Sequence, residues 1–224
     1  ASYKDGDHFV HNPDRPLQPL DRLDLPARHK RAYRGAHQGF ALADVFETSR
    51  GCTLACNFCS INTMYGKSHR FFPIEHVTND LQQMARRMVR EAFCADDNMT
   101  NELDRLEALC DAMAHNRKKL RVDIRITTQA TCAGIAKSQK LVNKMAAAGF
   151  TKVFLGIENV SSKTLRDIKK GDIVELTRTA VARLHEAGII CIGGCITGFP
   201  HDGIQEIREN YEFFSSLGVE HTIP

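Results

Sequence analysis

Leu141-Val-Asn-Lys-Met-Ala-Ala-Ala-Gly149-Phe-Thr-Lys-Val-Phe-Leu-Gly156 decides the fold class. A helical run of small and apolar residues meets a glycine, and a short apolar run follows at once. Glycine just past a helix accepts the left-handed backbone that ends it, because it has no Cβ to clash. The same order recurs at Gly188 and Gly218, each preceded by a helical pattern and followed by a fresh apolar segment. The repeated unit is strand, loop, helix, glycine, strand. Repetition in one order favours parallel strands with right-handed crossovers, as an open doubly wound sheet or a barrel. In either case chemistry belongs at the C-terminal ends of the strands.

On both sides of this stretch the periodicity assigns further elements. It predicts a strand over 43–48, a helix over 75–93 carrying Val77, Leu81, Met84, Met88 and Val89, and a compact strand over 92–95. Asn101 is placed to cap a helix whose Leu103, Leu106, Leu109, Cys110 and Met113 share one face. An alternating strand over 121–128, a helix over 135–148 and a strand over 152–156 come next. Helical turns over 161–170 and 174–187, a strand over 189–197 and a helix over 204–217 complete the series. Four of the seven prolines, Pro13, Pro16, Pro19 and Pro26, precede all of this among several arginines. Proline fixes φ and removes a donor, so residues 1–40 read as a Pro-rich, basic connector in extended form, with the domain proper at 41–224.

Composition narrows the function classes. The 224 residues carry 30 Lys and Arg against 27 Asp and Glu, a net charge of +3, which gives no support for a dedicated nucleic-acid binder. The longest nearly apolar run, 187–199, is shorter than the roughly 20 residues of a membrane span. Lys4, Asp5, Asp7 and His8 stand where a signal peptide would be apolar, so the reading places the chain in the cytoplasm. The first residue is not methionine and Pro224 interrupts a new apolar segment, so both ends read as cut.

Directly after the first strand, Glu47-Thr-Ser-Arg-Gly-Cys-Thr-Leu-Ala-Cys-Asn-Phe-Cys-Ser60 sets Cys52, Cys56 and Cys59 in a Cys-x3-Cys-x2-Cys array. Three thiols within eight residues can converge on one soft metal centre. Three thiolates leave one iron of a four-iron cluster open to a chelating ligand. The competing reading is a structural zinc completed by a ligand such as His69, in a non-catalytic Cys3His module. Cys94, Cys110, Cys132, Cys191 and Cys195 show no such array and read as core.

The array, with aromatic Phe58 before its third cysteine, resembles the radical S-adenosylmethionine (SAM) superfamily. The resemblance implies an α/β fold, a partial, TIM-like (βα)6 barrel here truncated at both ends. It implies a [4Fe–4S] cluster on Cys52, Cys56 and Cys59, and S-adenosyl-L-methionine chelated at the open iron and reductively cleaved to a radical. Asp96-Asp97-Asn98 stands where the family meets the methionyl amine, although these are also turn and capping residues. Leu155-Gly-Ile-Glu-Asn-Val160 is similar to the family's Gly-Ile-Glu-Ser run, so Glu158 would face the cofactor or cap the helix opening at Ser161. Gly194-Cys-Ile-Thr-Gly-Phe-Pro-His201 is similar to the adenine-contacting segment, which brings in Gly194, Ile196 and Gly198, with His201 in place of the family's Glu.

In the third strand Arg121, Asp123, Arg125, Thr127 and Gln129 share one face, a polar lining for a barrel interior. Arg125 and Gln129 read as cofactor or substrate contacts, or as a mutually satisfied buried network. The stretch Gly6–Asp21 followed by Leu25-Pro-Ala resembles the connector from an N-terminal cobalamin-binding domain in cobalamin-dependent members. That branch implies methylation or cyclisation, with cobalamin held outside these residues; methylthiotransferases share similar barrels. The resemblance also implies a low-potential donor such as flavodoxin or ferredoxin.

Overall fold

Six parallel strands form the spine of the protein: β1 (Ala41–Phe46), β2 (Glu91–Cys94), β3 (Arg125–Ala130), β4 (Phe150–Glu158), β5 (Ile190–Cys195) and β6 (His221–Ile223). They are seen in a computed structural model that describes residues 2–13, 15–30, 36–38 and 41–224 apart from 121 and 122. Their order in space is their order in sequence, with Ala36–Gln38 antiparallel on the outer edge of β1. A doubly wound sheet reverses its order at a switch point, whereas an opened barrel does not. The sheet is therefore the partial (βα)6 barrel, and among the described residues no hydrogen bonds close it.

One long helix follows each of the first five strands, α1 (Ile74–Arg86), α2 (Leu103–Leu120), α3 (Gln139–Ala148), α4 (Val174–Glu186) and α5 (Ile204–Leu217), with short helices Ile61–Tyr65, Cys132–Ile135 and Ser162–Asp167 ahead of α1, α3 and α4. Their apolar faces, among them Met84, Leu109, Met145, Leu184 and Phe214, bury against Ile126, Val153, Leu155 and Cys191 in a single core. The opposite face of the sheet is open, and register aligns Val45, Phe93 and Thr127 across it. Gly149, Gly188 and Gly218 take φ of 104°, 71° and 71°, as the helix stops require. Among the described residues no helix is long and apolar enough to cross a membrane.

Several boundaries differ from the periodicity, each for a local reason. Helix α1 ends at Arg86 rather than 93 because Met88 turns at φ 62° and Val89 N–H returns to the Met84 carbonyl. Val89 is apolar because it is buried beyond the turn, not because the helix continues. The helix over 135–148 is two, Cys132–Ile135 and α3, since the Ser138 side chain accepts from Leu141 N–H and starts a new one. Asn101 does not cap α2; it lies in the preceding 3-10 turn, which Asn98 caps, and its amide is turned elsewhere. Strand β3 begins at Arg125, with Arg121 and Val122 outside the described residues, and β4 is longer than expected at both ends.

Before the sheet, Ser2–Asp5 and His8–His11 pair as an exposed hairpin. Leu20 is buried in the core. Arg28 is 3% exposed and reaches both Asp80 of α1, at 2.7 and 2.6 Å, and Asp44 of β1, at 2.7 Å. Taking charges out of water is tolerated only when they are paired and hydrogen-bonded, as here. The end of the connector is thereby fastened to the first strand and first helix.

Candidate functional site

A cavity of about 160 Å³ opens at the C-terminal ends of the strands. Cys52, Cys56 and Cys59 line it together with Phe58, Asp97, Asn98, Gln129, Phe154, Gly156, Glu158 and Lys170. Sequence separations of more than a hundred residues are thus closed by the parallel order, which brings every strand end to one rim.

The cysteine loop is gripped along its length by the segment after β2. Thr48 N–H and the hydroxyls of Thr48 and Ser49 all donate to Asp96. Gly51 N–H donates to Asp97 Oδ2 at 2.7 Å, Asn98 Nδ2 lies 3.6 Å from Cys52 Sγ, and the Thr53 hydroxyl donates to Asn101 Oδ1 at 2.7 Å. Farther on, Asn57 is anchored by the carbonyls of Asp167 and Ile168. Cys56 is buried while Cys59 is exposed. Burial pushes the Cys56 thiol up, against the pull of the nearby Lys170.

Of the Asp96-Asp97-Asn98 run, only Asp97 and Asn98 line the cavity. Asp96 is fully buried behind the cysteine loop and carries four donors, Cys94 Sγ included. The chain bends at Asp97, so Asp96 turns behind the loop while Asp97 and Asn98 stay on the cavity side.

On the far wall Glu158 ends β4 with φ 66°, uncommon for a residue with a side chain. The sheet register shifts beside it, between Gly194 and Cys195. This kink aims the carboxylate back over the sheet, where Lys170 Nζ meets it at 2.8 Å. A Cβ on Gly156 would stand 2.4 Å from Lys170 Nζ and 2.5 Å from Glu158 Oε1, and one on Gly194 would stand 2.7 Å from Phe154. Gly156 therefore makes room for a buried ion pair with 11% and 9% side-chain exposure, and Gly194 for the ring of Phe154. Burial alone would lower the Lys170 pKa; the charge and hydrogen bond of Glu158 outweigh it and raise it. Lys170 was not identified by sequence reasoning, and the signal for it was weak: one lysine of a Lys-Lys pair past a short helix. Glu158 does not cap that helix, since Ser161 accepts from Thr164 N–H itself.

Other residues lie elsewhere. Arg125 sits at the N-terminal end of β3, 53% exposed and paired with Glu91 at 2.5 Å, so the structure does not bring it to the cavity. Ile196 N–H donates to the Glu158 carbonyl and its own carbonyl accepts from Asn159, so both backbone groups are engaged. Gly198, at φ 89°, donates to Asp202 in an exposed turn. His201 approaches the Thr164 hydroxyl at 3.1 Å.

His69 is absent from the cavity, and both of its ring nitrogens are engaged, by Ser49 and Asn101. It is not offered as a fourth ligand to zinc. Among the described residues no three Cys, His, Asp or Glu side chains stand close enough to hold a single metal ion. A mononuclear zinc needs its thiolates about 2.3 Å from one point, whereas in a four-iron cluster each iron takes its own thiolate. Three cysteines lining one cavity can give a thiolate to each of three irons, which fits the cluster.

The radical SAM superfamily model matches residues 46–214. An uncharacterized methyltransferase of Pyrococcus horikoshii is 27% identical over 98% of this chain and 47% of its own length. The hopanoid C-2 methylase of Rhodopseudomonas palustris is 27% identical over 96% of this chain and 41% of its own. The chain thus spans under half the length of these relatives. Among solved structures, the cobalamin-dependent S-adenosylmethionine radical enzyme OxsB, with aqua-cobalamin and S-adenosylmethionine bound, superposes with a TM-score of 0.73 at 23% identity, covering 95% of this chain and 31% of that one. The radical S-adenosylmethionine methyltransferase TsrM from Kitasatospora setae, with cobalamin and a [4Fe–4S] cluster, gives 0.73 at 16% identity over 81% and 34%.

Proposed function

Because this chain belongs to the radical SAM superfamily, we propose that Cys52, Cys56 and Cys59 hold a [4Fe–4S] cluster whose open iron takes SAM in the cavity beside them. The single observation that carries this reading is that the three cysteines and the Glu158–Lys170 pair line one cavity. When bound, the cluster supplies one electron that cleaves a carbon–sulfur bond of SAM, leaving methionine and an adenosyl radical.

The chain's own residues bind and orient. Lys170 offers the buried cation of the site to the methionyl carboxylate, while Glu158 and Asp97 offer acceptors to the ammonium and Asn98, its Oδ1 taken by Thr100, turns its Nδ2 toward Cys52. Phe58 and Phe154 give apolar walls, and Gly156 lets the Glu158–Lys170 pair lie close against the sheet. Asp96, Asp97, Asn98 and Asn101 fix the loop from which the thiols project. Such preorganised dipoles and excluded water keep a reactive species on course.

The names of the relatives support a cobalamin-dependent methylation of an unreactive carbon, with residues 1–40 as the connector from a cobalamin-binding domain. A soluble low-potential donor of the flavodoxin or ferredoxin type and a cytoplasmic setting complete the proposal. Anaerobic iron and sulfide reconstitution followed by electron paramagnetic resonance (EPR), with and without SAM, tests it beside the C52A/C56A/C59A variant. A reduced-cluster signal that changes on adding SAM and is lost in the variant is expected. Stoichiometric zinc and no cluster in the folded protein would overturn it.

A further inference from the structure

His69 lies on a hairpin strand (His69–Phe71) opposite Ser49–Gly51, beside the cysteine loop but outside the cavity. Its hydrogen bonds have a fixed direction. The Ser49 hydroxyl spends its one proton on Asp96 Oδ2, at 2.6 Å, so toward His69 Nε2, at 3.0 Å, it can only accept. Nε2 therefore carries a proton. On the other side Asn101 Oδ1 receives both the N–H and the hydroxyl of Thr53, at 3.4 and 2.7 Å, which fixes the amide with Nδ2 toward His69. That NH2 group can only donate, so Nδ1, at 3.0 Å, must accept and cannot hold a proton. A one-way chain thus runs from Thr53, next to Cys52, through Asn101, His69 and Ser49 to Asp96.

From this chain we infer that His69 is a positioning residue for the cysteine loop, locked as the neutral Nε2–H tautomer. Protonation at Nδ1 would set two donors face to face, break the contact with Asn101 and free Thr53. The charged groups facing the ring are Asp96, Asp97, Glu102 and Arg105, and Phe71 meets it edge-on at 4.4 Å. Burial, aided by Arg105, outweighs the three carboxylates and lowers the His69 pKa below 6.5, so the neutral form holds at neutral pH. The link to the cluster rests on the function proposed above; the tautomer does not.

Nitrogen-15 NMR of the metal-free chain reads the tautomer directly. A protonated Nε2 and an accepting Nδ1 are expected at pH 7. A protonated Nδ1, or a charged ring at pH 7, would overturn the inference whether or not a cluster forms. The second arm is reconstitution of H69Q, which keeps one donor and one acceptor, and H69F, which keeps neither. H69Q should match the wild type in iron content and EPR line shape, while H69F should lose about half its iron or shift the signal. Below the His69 pKa the wild type should come to resemble H69F, whereas H69Q should not follow. A folded H69F with the wild-type signal across pH 6–9 would overturn the positioning role. If H69F fails to fold, T53V cuts the exposed end of the same chain and must show the same loss. Failure of every variant, wild type included, to take up a cluster would count against the proposed function and leave the tautomer result standing.

Discussion

The loops that follow β2 and β5 leave the same rim of one sheet, yet they are built in opposite ways. Residues 96–101 are mostly buried and spend their side chains on the cysteine loop, through Asp96, Asp97, Asn98 and Asn101. Residues 197–203 are mostly exposed and bond chiefly among themselves, Asp202 accepting from Gly198 and Phe199 N–H and Gly203 N–H donating to Glu206. The half of the rim that would hold the cluster is set before any ligand arrives. The half that would meet the adenosyl group is held chiefly by its own turn and by Glu206, with the contact of His201 and Thr164 beside them.

Breaking the ordered half should cost most. Asp96→Ala leaves two buried hydroxyls and an N–H without their acceptor, and we expect a loss of about 4 kcal/mol in urea unfolding. A loss under about 1 kcal/mol would mean that the grip on the loop is not what orders it. Lys170→Met leaves Glu158 buried without its cation and should cost about 3 kcal/mol and weaken SAM binding. Because the Lys170 pKa is raised in the folded state, its contribution is complete below the unfolded value near 10.5 and is lost as pH rises through the folded value. The stability gap between wild type and variant should be flat from pH 7 to 10 and narrow only above that. A gap that closes near neutrality would place the pair outside the ordered half.

On the looser side, Gly198→Ala puts a Cβ where nothing lies within 4 Å, so only the left-handed backbone opposes it, at about 1 kcal/mol. Thermal melting would show whether this turn is as lightly held as it looks. Smallest of all is Arg125→Met: SAM affinity, read by calorimetry, should stay within about twofold of wild type. A tenfold loss would return that side chain to the cofactor.

Arg125 and Gln129 show what a sequence can and cannot say. Alternation assigned both to the open face of β3, and both are there. It carries no information on height, and four residues of strand put them roughly 13 Å apart, at opposite ends of the barrel. The cysteine array, the glycine helix stops and the order of the units were legible because each is written in consecutive residues. The Glu158–Lys170 pair was half legible, through Glu158 alone, since its partner lies beyond a helix with no spacing rule to mark it. Asp96 could not be told apart from Asp97 and Asn98, because the bend that turns it away from the cavity leaves no mark in three adjacent polar residues. The Arg28–Asp80 contact, 52 residues apart, left no local pattern at all.

Beside that contact, Arg28 also fastens the N-terminal segment to β1, the strand that leads into the cysteine loop. Arg28 binds Asp44 and Asp80 at once, so tension applied to the chain ahead of residue 28 is shared between a strand and a helix. Asp44 stands eight residues before Cys52 on the strand that ends in the cysteine loop. A load on the N-terminal segment therefore bears on the strand that carries the cysteine loop as well as on α1.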